Sequence, residues 1–182
     1  LNTITNNTID GIFTRSSGAS TTTSAAMQGL TVSSSTAGQI VTGNTIRNLS
    51  ILPLVPASTQ TYGLYVSSAS GVIVNDNVIS NLNSNSSSTN TLLSSSLIGL
   101  AYGASGNGNV ISRNRVSALH NSNTGFNNST VIGIYYAGTT TGSHLVSQNL
   151  IHSLGNASNG NASVIGFWNN ASNINFYNKL PI

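Results

Sequence analysis

Five times the chain writes nearly the same nine residues: ITNNTIDGI from Ile4, VTGNTIRNL from Val41, VNDNVISNL from Val74, ISRNRVSAL from Ile111 and VSQNLIHSL from Val146. Aligned on Asn7, Asn44, Asn77, Asn114, Asn149 and a degenerate sixth copy at Asn178, three apolar columns emerge. Three positions earlier stand Ile4, Val41, Val74, Ile111 and Val146, and only Asn175 breaks the column. Two positions later come Ile9, Ile46, Ile79, Val116, Ile151 and Leu180, and five later Ile12, Leu49, Leu82, Leu119 and Leu154. A unit recurring every 33 to 37 residues is the mark of a solenoid, in which each copy buries its apolar face only against its neighbours.

A second block lies between the copies of the first. Gly29, Gly63, Gly99, Gly133 and Gly166 are followed by Leu30, Leu64, Leu100, Ile134 and Phe167. Two residues further on come Val32, Val66, Tyr102, Tyr136 and Asn169. GLTV, GLYV, GLAY and GIYY alternate with period two and are rich in β-branched and aromatic residues, so they read as strands. Helix-pair repeats of similar length need long runs of charged helix formers, and only 4% of this chain is charged. With 38% hydrophobic residues and almost no charge, the 182-residue chain is expected to fold as one domain, 1–182, with a surface of hydroxyls and amides.

The unit running from GLYV to VIVNDNVISNL (Gly63 to Leu82) resembles the coils of right-handed parallel β-helices in the pectin-lyase-like superfamily. The resemblance covers nearly the whole chain and implies about five coils of roughly 35 residues, joined by variable Ser/Thr/Asn-rich loops. Coils then stack at about 4.8 Å, and like residues form ladders. The recurring Asn is expected at a tight turn, since Asn tolerates left-handed backbone, with its amide bonded to the Asn above. The apolar, proline-bearing LPLVPAS (Leu52 to Ser58) is expected to pack along a neighbouring coil.

Enzymes of the resembled superfamily typically use several Asp or Glu residues, and acid–base work at a glycosidic bond needs a carboxylate pair. This chain has two acids, Asp10 and Asp76. In register, Asp10 falls beside Arg47 and Asp76 beside Arg113, so both acids are expected in inter-coil surface ion pairs, two coils apart. His120, His144 and His152 occupy different coil positions without a carboxylate or metal-ligand spacing, and a bland surface or turn role is expected. No catalytic residue, cofactor site or metal site follows, and the chain is read as non-enzymatic. The eight Asn-x-Ser/Thr sequons carry no information beyond composition, given how common Ser and Thr are.

Alternation in the Gly strands turns Thr31, Tyr65, Ala101, Tyr135 and Trp168 outward. Tyr65, Tyr135 and Trp168 are therefore the expected contacts for sugar rings or a protein partner, unless a loop covers them. The five basic residues are too few and scattered for nucleic acid, and no apolar run is long enough to enter a membrane. The absence of Cys excludes a disulfide framework.

The sequence thus points to an extracellular or bacterial cell-surface structural or adhesive module, such as part of an adhesin, stalk or filament. Its expected partners are other copies or further domains of a larger surface protein, or carbohydrate. The chain starts in mid-pattern, so a longer parent is expected. The alternative is a polysaccharide-binding or polysaccharide-degrading protein related to pectate lyases. Ice binding would want a flat Thr array, and the Thr139 to Thr141 run does not recur.

Overall fold

A computed structural model of the chain is a parallel β-solenoid, the all-β fold expected from the repeat. It describes residues 2–15, 27–55, 57–68, 70–103, 106–138, 142–171 and 174–177. The first rung comprises β1 (Thr3–Thr5), β2 (Thr8–Asp10) with the short β3 (Phe13–Thr14), and β4 (Met27–Ser34). The second comprises β5 (Ile40–Thr42), β6 (Thr45–Ile51) and β7 (Thr61–Ser68). The third comprises β8 (Ile73–Asn75), β9 (Val78–Ser84) and β10 (Leu97–Tyr102), and the fourth β11 (Val110–Ser112), β12 (Arg115–Asn121) and β13 (Thr130–Tyr136). The fifth comprises β14 (His144–Ser147), β15 (Leu150–Asn156) and β16 (Ser163–Asn169), and β17 (Ile174–Tyr177) begins the next.

Corresponding strands stack in parallel into three sheets. Sheet A runs β1-β5-β8-β11-β14-β17, sheet B β2-β6-β9-β12-β15 with β3 beside β6, and sheet C β4-β7-β10-β13-β16. From one alignment Asn to the next, the four turns take 37, 33, 37 and 35 residues. Across the inner rungs all three apolar columns point into the tube, whereas Ile12 in the first rung is exposed. Val41, Ile46, Leu49, Val74, Ile79, Ile111, Val116 and Leu119 are fully buried in its core. Burying each such side chain stabilises the fold by roughly 1.5–3 kcal/mol.

One spacing in the repeat does not fit a plain strand. The second and third apolar columns lie three residues apart, whereas a strand returns to the same face every two. Gly11, Asn48, Asn81, Ala118 and Ser153, just before the third column, adopt positive φ of 53–72°. The strand pairing skips them, as from Ser117↔His152 to Leu119↔Leu154. The extra residue works as a bulge that re-aims the third column inward. A second left-handed column sits immediately before the alignment Asn, at Asn6, Gly43, Asp76, Arg113 and Gln148. The tight A-to-B turn is therefore made by the residue before the Asn. None of the alignment Asn residues from Asn7 to Asn149 is itself left-handed, which corrects the expectation that their backbone makes the turn.

The Asn side chains instead fill the inside of that turn. Asn44, Asn77 and Asn114 are buried. Asn44 donates from its Nδ2 to Asn77 Oδ1 at 2.9 Å and to Ile4 O at 3.0 Å. The same pattern links Asn7 to Asn44, Asn77 to Asn114, and Asn114 to Asn149. Asn178 lies outside the described residues.

Sheet C carries the other correction of register. The Gly residues face inward, not outward beside the aromatics. A Cβ on Gly63 would lie 2.4 Å from Ile79 Cγ2 and 2.6 Å from Gly99 O, and one on Gly99 2.3 Å from Val116 Cγ1. Each Gly and the residue after it both face the core, so Tyr62 and Tyr65, three apart, share the outer face. In LPLVPAS, Leu54 and Val55 are 81% and 68% exposed, so this part of the segment does not pack along a neighbouring coil.

Candidate functional site

The outer face of sheet C was the expected contact surface, and it is largely covered. Tyr62, Ile98, Ala101, Ile132 and Tyr135 form a second apolar cluster outside the tube. Leu92 and Leu93, on a short 3-10 turn (Leu92–Ser94) in the loop before β10, pack onto it. The Tyr62 hydroxyl donates to Leu93 O and ties that loop down. Tyr62 also stacks on Tyr65, with ring centroids 5.2 Å apart. Burial pushes the phenols of Tyr62 and Tyr135 up from their ordinary range.

Tyr135 is only 2% exposed, and Asn170 Nδ2 donates to its hydroxyl at 3.3 Å. Tyr65 and Trp168 are half-buried against the same cluster. The three rings therefore do not form an open stacking row. Part of the reason is a loop that does not repeat: it holds Tyr62, which stacks on Tyr65, and the period-two alternation could not reveal it. Half-buried Tyr65 and Trp168, the latter with exposed Asn170 near it in sequence, are the aromatic surface that the face still offers to a ligand.

Four of the charged residues bridge rungs. Arg47 Nε donates to Asp10 Oδ2 at 2.8 Å, and Asn48 Nδ2 to Asp10 Oδ1 at 2.6 Å. Asn81 Nδ2 in turn reaches Asn48 Oδ1 at 2.6 Å. Arg113 holds Asp76 with two bonds of 2.8 Å, from Nε and a terminal nitrogen. The Asn48 amide and the Arg47 guanidinium hold the Asp10 carboxyl below the usual carboxylate range, and Arg113 does the same for Asp76. Both acids are engaged with these partners on the surface.

His120 is exposed and His152 half-buried, but His144 is buried, against the expectation of a surface or turn role. It lies five residues before Asn149, in a column with Asn2, Gln39, Val72 and Asn109. That column lines the C-to-A corner, and its mixed residue types hide its burial from the sequence. Another buried polar corner, between sheets B and C, also escaped sequence reading. There Asn121 Oδ1 accepts from Ser86 N–H at 2.9 Å, while Asn121 Nδ2 donates to Ser86 O and Ser129 Oγ, both at 3.1 Å. Asn156 Nδ2 donates to Ser129 O at 3.0 Å, which makes a second, shorter amide ladder.

No group of three or more His, Asp or Glu that could hold a metal ion occurs among the described residues, nor does a helix long and apolar enough to cross a membrane. The distinctive polar side chains converge on rung-to-rung bonds within the solenoid. Comparison with protein-family models, with curated proteins and with solved structures finds nothing that matches the chain.

Proposed function

We propose that this chain is a non-catalytic structural or adhesive module of an extracellular or bacterial cell-surface protein, built as a right-handed parallel β-helix of the pectin-lyase-like kind. The hand follows from the rule that parallel crossovers within one sheet are right-handed in about 98% of cases. The observation that carries the functional reading is the amide ladder from Asn7 through Asn44, Asn77 and Asn114 to Asn149. It joins the five rungs from Asn7 to Asn149 one to the next, and the two ion pairs add a bridge at the first and third of these junctions. Such a module transmits position and force along its axis, and its partners are other copies or further domains of the parent protein.

The test is labelling of intact and permeabilised cells of the source organism with antibodies to this chain. Labelling of intact cells supports the proposal, and labelling only after permeabilisation rejects it. Release of oligosaccharides from acidic glycans by the purified protein would reject the non-catalytic part. One observation favours a second reading, carbohydrate binding: half-buried Trp168 sits at the margin of the covered aromatic face. Loss of glycan retention in Trp168→Ala, with the fold intact, would support that reading.

A further inference from the structure

The corner where sheet C hands over to sheet A contains a hydrogen bond whose direction is fixed by its surroundings. Val72 N–H donates to Asn109 Oδ1 at 3.1 Å, and Asn109 Nδ2 donates to Gly106 O at 2.8 Å. A backbone donor on one side and a backbone acceptor on the other leave only one orientation for the Asn109 amide. Its Nδ2 therefore faces His144 Nδ1, at 3.3 Å. An amide nitrogen can only donate, so Nδ1 must be the bare nitrogen of the ring, and the proton of neutral His144 sits on Nε2.

The ring is 2% exposed, and its Nε2 has no partner among the described residues. From β13, Tyr136 leans against it with centroids 5.7 Å apart, and Tyr102 of β10 stacks behind Tyr136 at 5.0 Å. On the other side the backbone of β14 pairs with β17, His144 opposite Ile174. Asp10 and Asp76 are held on the surface by Arg47 and Arg113. No carboxylate among these neighbours would balance an imidazolium.

We infer that the Asn109–His144 contact is an acid-sensitive latch that holds β14 onto β11 at neutral pH and releases it when the ring takes a proton from water. Protonation at Nδ1 sets N–H against N–H, breaks the bond and leaves a cation in a dry corner. The neutral ring is the form that the fold accepts. The latch therefore contributes to stability while the ring is neutral and not once the ring is charged. The backbone bonds beside it, Leu145 N–H to Asn109 O at 2.9 Å and Gly108 N–H to Ser143 O at 3.0 Å, open with it. The reading stands apart from the proposed surface role and survives if that fails.

Nitrogen-15 NMR of the wild-type imidazoles at pH 7.5 should show the Nε2–H tautomer for His144, and the Nδ1–H tautomer would overturn the latch. Hydrogen exchange, corrected for its intrinsic pH dependence, should show protection of the Leu145 and Gly108 amides falling at least tenfold between pH 7.5 and 5. The Arg115 amide, bonded to Asn77 O at 2.8 Å, serves as the reference and should change less than twofold. His144→Asn supplies a neutral acceptor to Asn109 and should abolish the fall. A fall of equal size in that variant, or no fall in the wild type, overturns the inference. Should His144→Asn not fold, His120→Gln/His152→Gln leaves His144 as the sole histidine. Retention of the fall there supports the latch, and its loss rejects it.

Discussion

Asn77 Oδ1 accepts two hydrogen bonds from Asn44, one from the backbone N–H at 3.0 Å and one from the side-chain Nδ2 at 2.9 Å. Its own Nδ2 donates to Val41 O at 2.9 Å and to Asn114 Oδ1 at 3.0 Å. One buried amide thus satisfies groups on the rungs before and after it. Asn77→Ala strands several of them at once, each costing about 1–3 kcal/mol when buried and unpaired. Urea denaturation should show a loss of at least about 3 kcal/mol. Asn7→Ala, at the exposed end of the ladder, should cost less than half as much.

Gly99 and Gly166 occupy the same column but meet different surroundings. A Cβ on Gly99 would lie 2.3 Å from Val116 Cγ1 and 2.7 Å from the backbone oxygen of Gly133, whereas one on Gly166 meets nothing within 4 Å. Gly99→Ala must push a backbone rung aside and should destabilise by about 1–3 kcal/mol or more. Gly166→Ala should shift the thermal midpoint by no more than about 2 °C, the shift that roughly 0.5 kcal/mol produces at this chain size. Equal effects at the two sites would contradict the inward orientation of the Gly column.

Ala118 holds φ at 53° in the column that re-aims the strand. Left-handed backbone costs a residue with a Cβ about 1–2 kcal/mol, and Gly recovers this at the expense of its greater freedom in the unfolded chain, about 0.5–1 kcal/mol. Ala118→Gly is expected to stabilise by about 0.5–1 kcal/mol and to raise the thermal midpoint by a few degrees. Ser153→Gly should act in the same direction.

The Arg113–Asp76 pair is half exposed, at 50% and 45% for the two side chains, and this limits its worth to about 0–1 kcal/mol. Because Arg113 lowers the folded carboxyl below its unfolded range, the contribution is present at neutral pH and lost as pH falls through that lowered value. Asp76→Asn should therefore destabilise by less than about 1 kcal/mol at pH 7, and the difference should shrink steadily as pH falls below the ordinary carboxylate range. Salt at about 1 M should erase most of the difference at pH 7 as well.

How legible this fold is depends on what each column asks of its residues. The inward columns admit only Ile, Leu and Val over several rungs, so Val41 and Ile46 announce themselves. The left-handed column before the ladder holds Asn6, Gly43, Asp76, Arg113 and Gln148, which share a backbone angle but no side-chain chemistry. Its only trace is the fixed distance to the Asn. The three-residue gap between Ile79 and Leu82 was a readable sign of a bulge. Tyr135 and His144 escape a sequence reading because their burial depends on contacts outside the repeat, for Tyr135 an apolar cluster on the outer face and the amide of Asn170, for His144 a corner of mixed residues.

The unequal turns of 37, 33, 37 and 35 residues have a consequence for the tube as a ruler. Every rung advances by the strand spacing, about 4.8 Å, whatever number of residues it contains. From Ile51 to Gly63 the chain rounds the B-to-C corner in 12 steps, and from Ser84 to Gly99 in 15, without disturbing the register on either side. Insertions there widen the outline of the molecule and leave its length untouched. Only a whole added turn makes it longer, so a lineage of such chains would change reach in quanta while its corners vary freely.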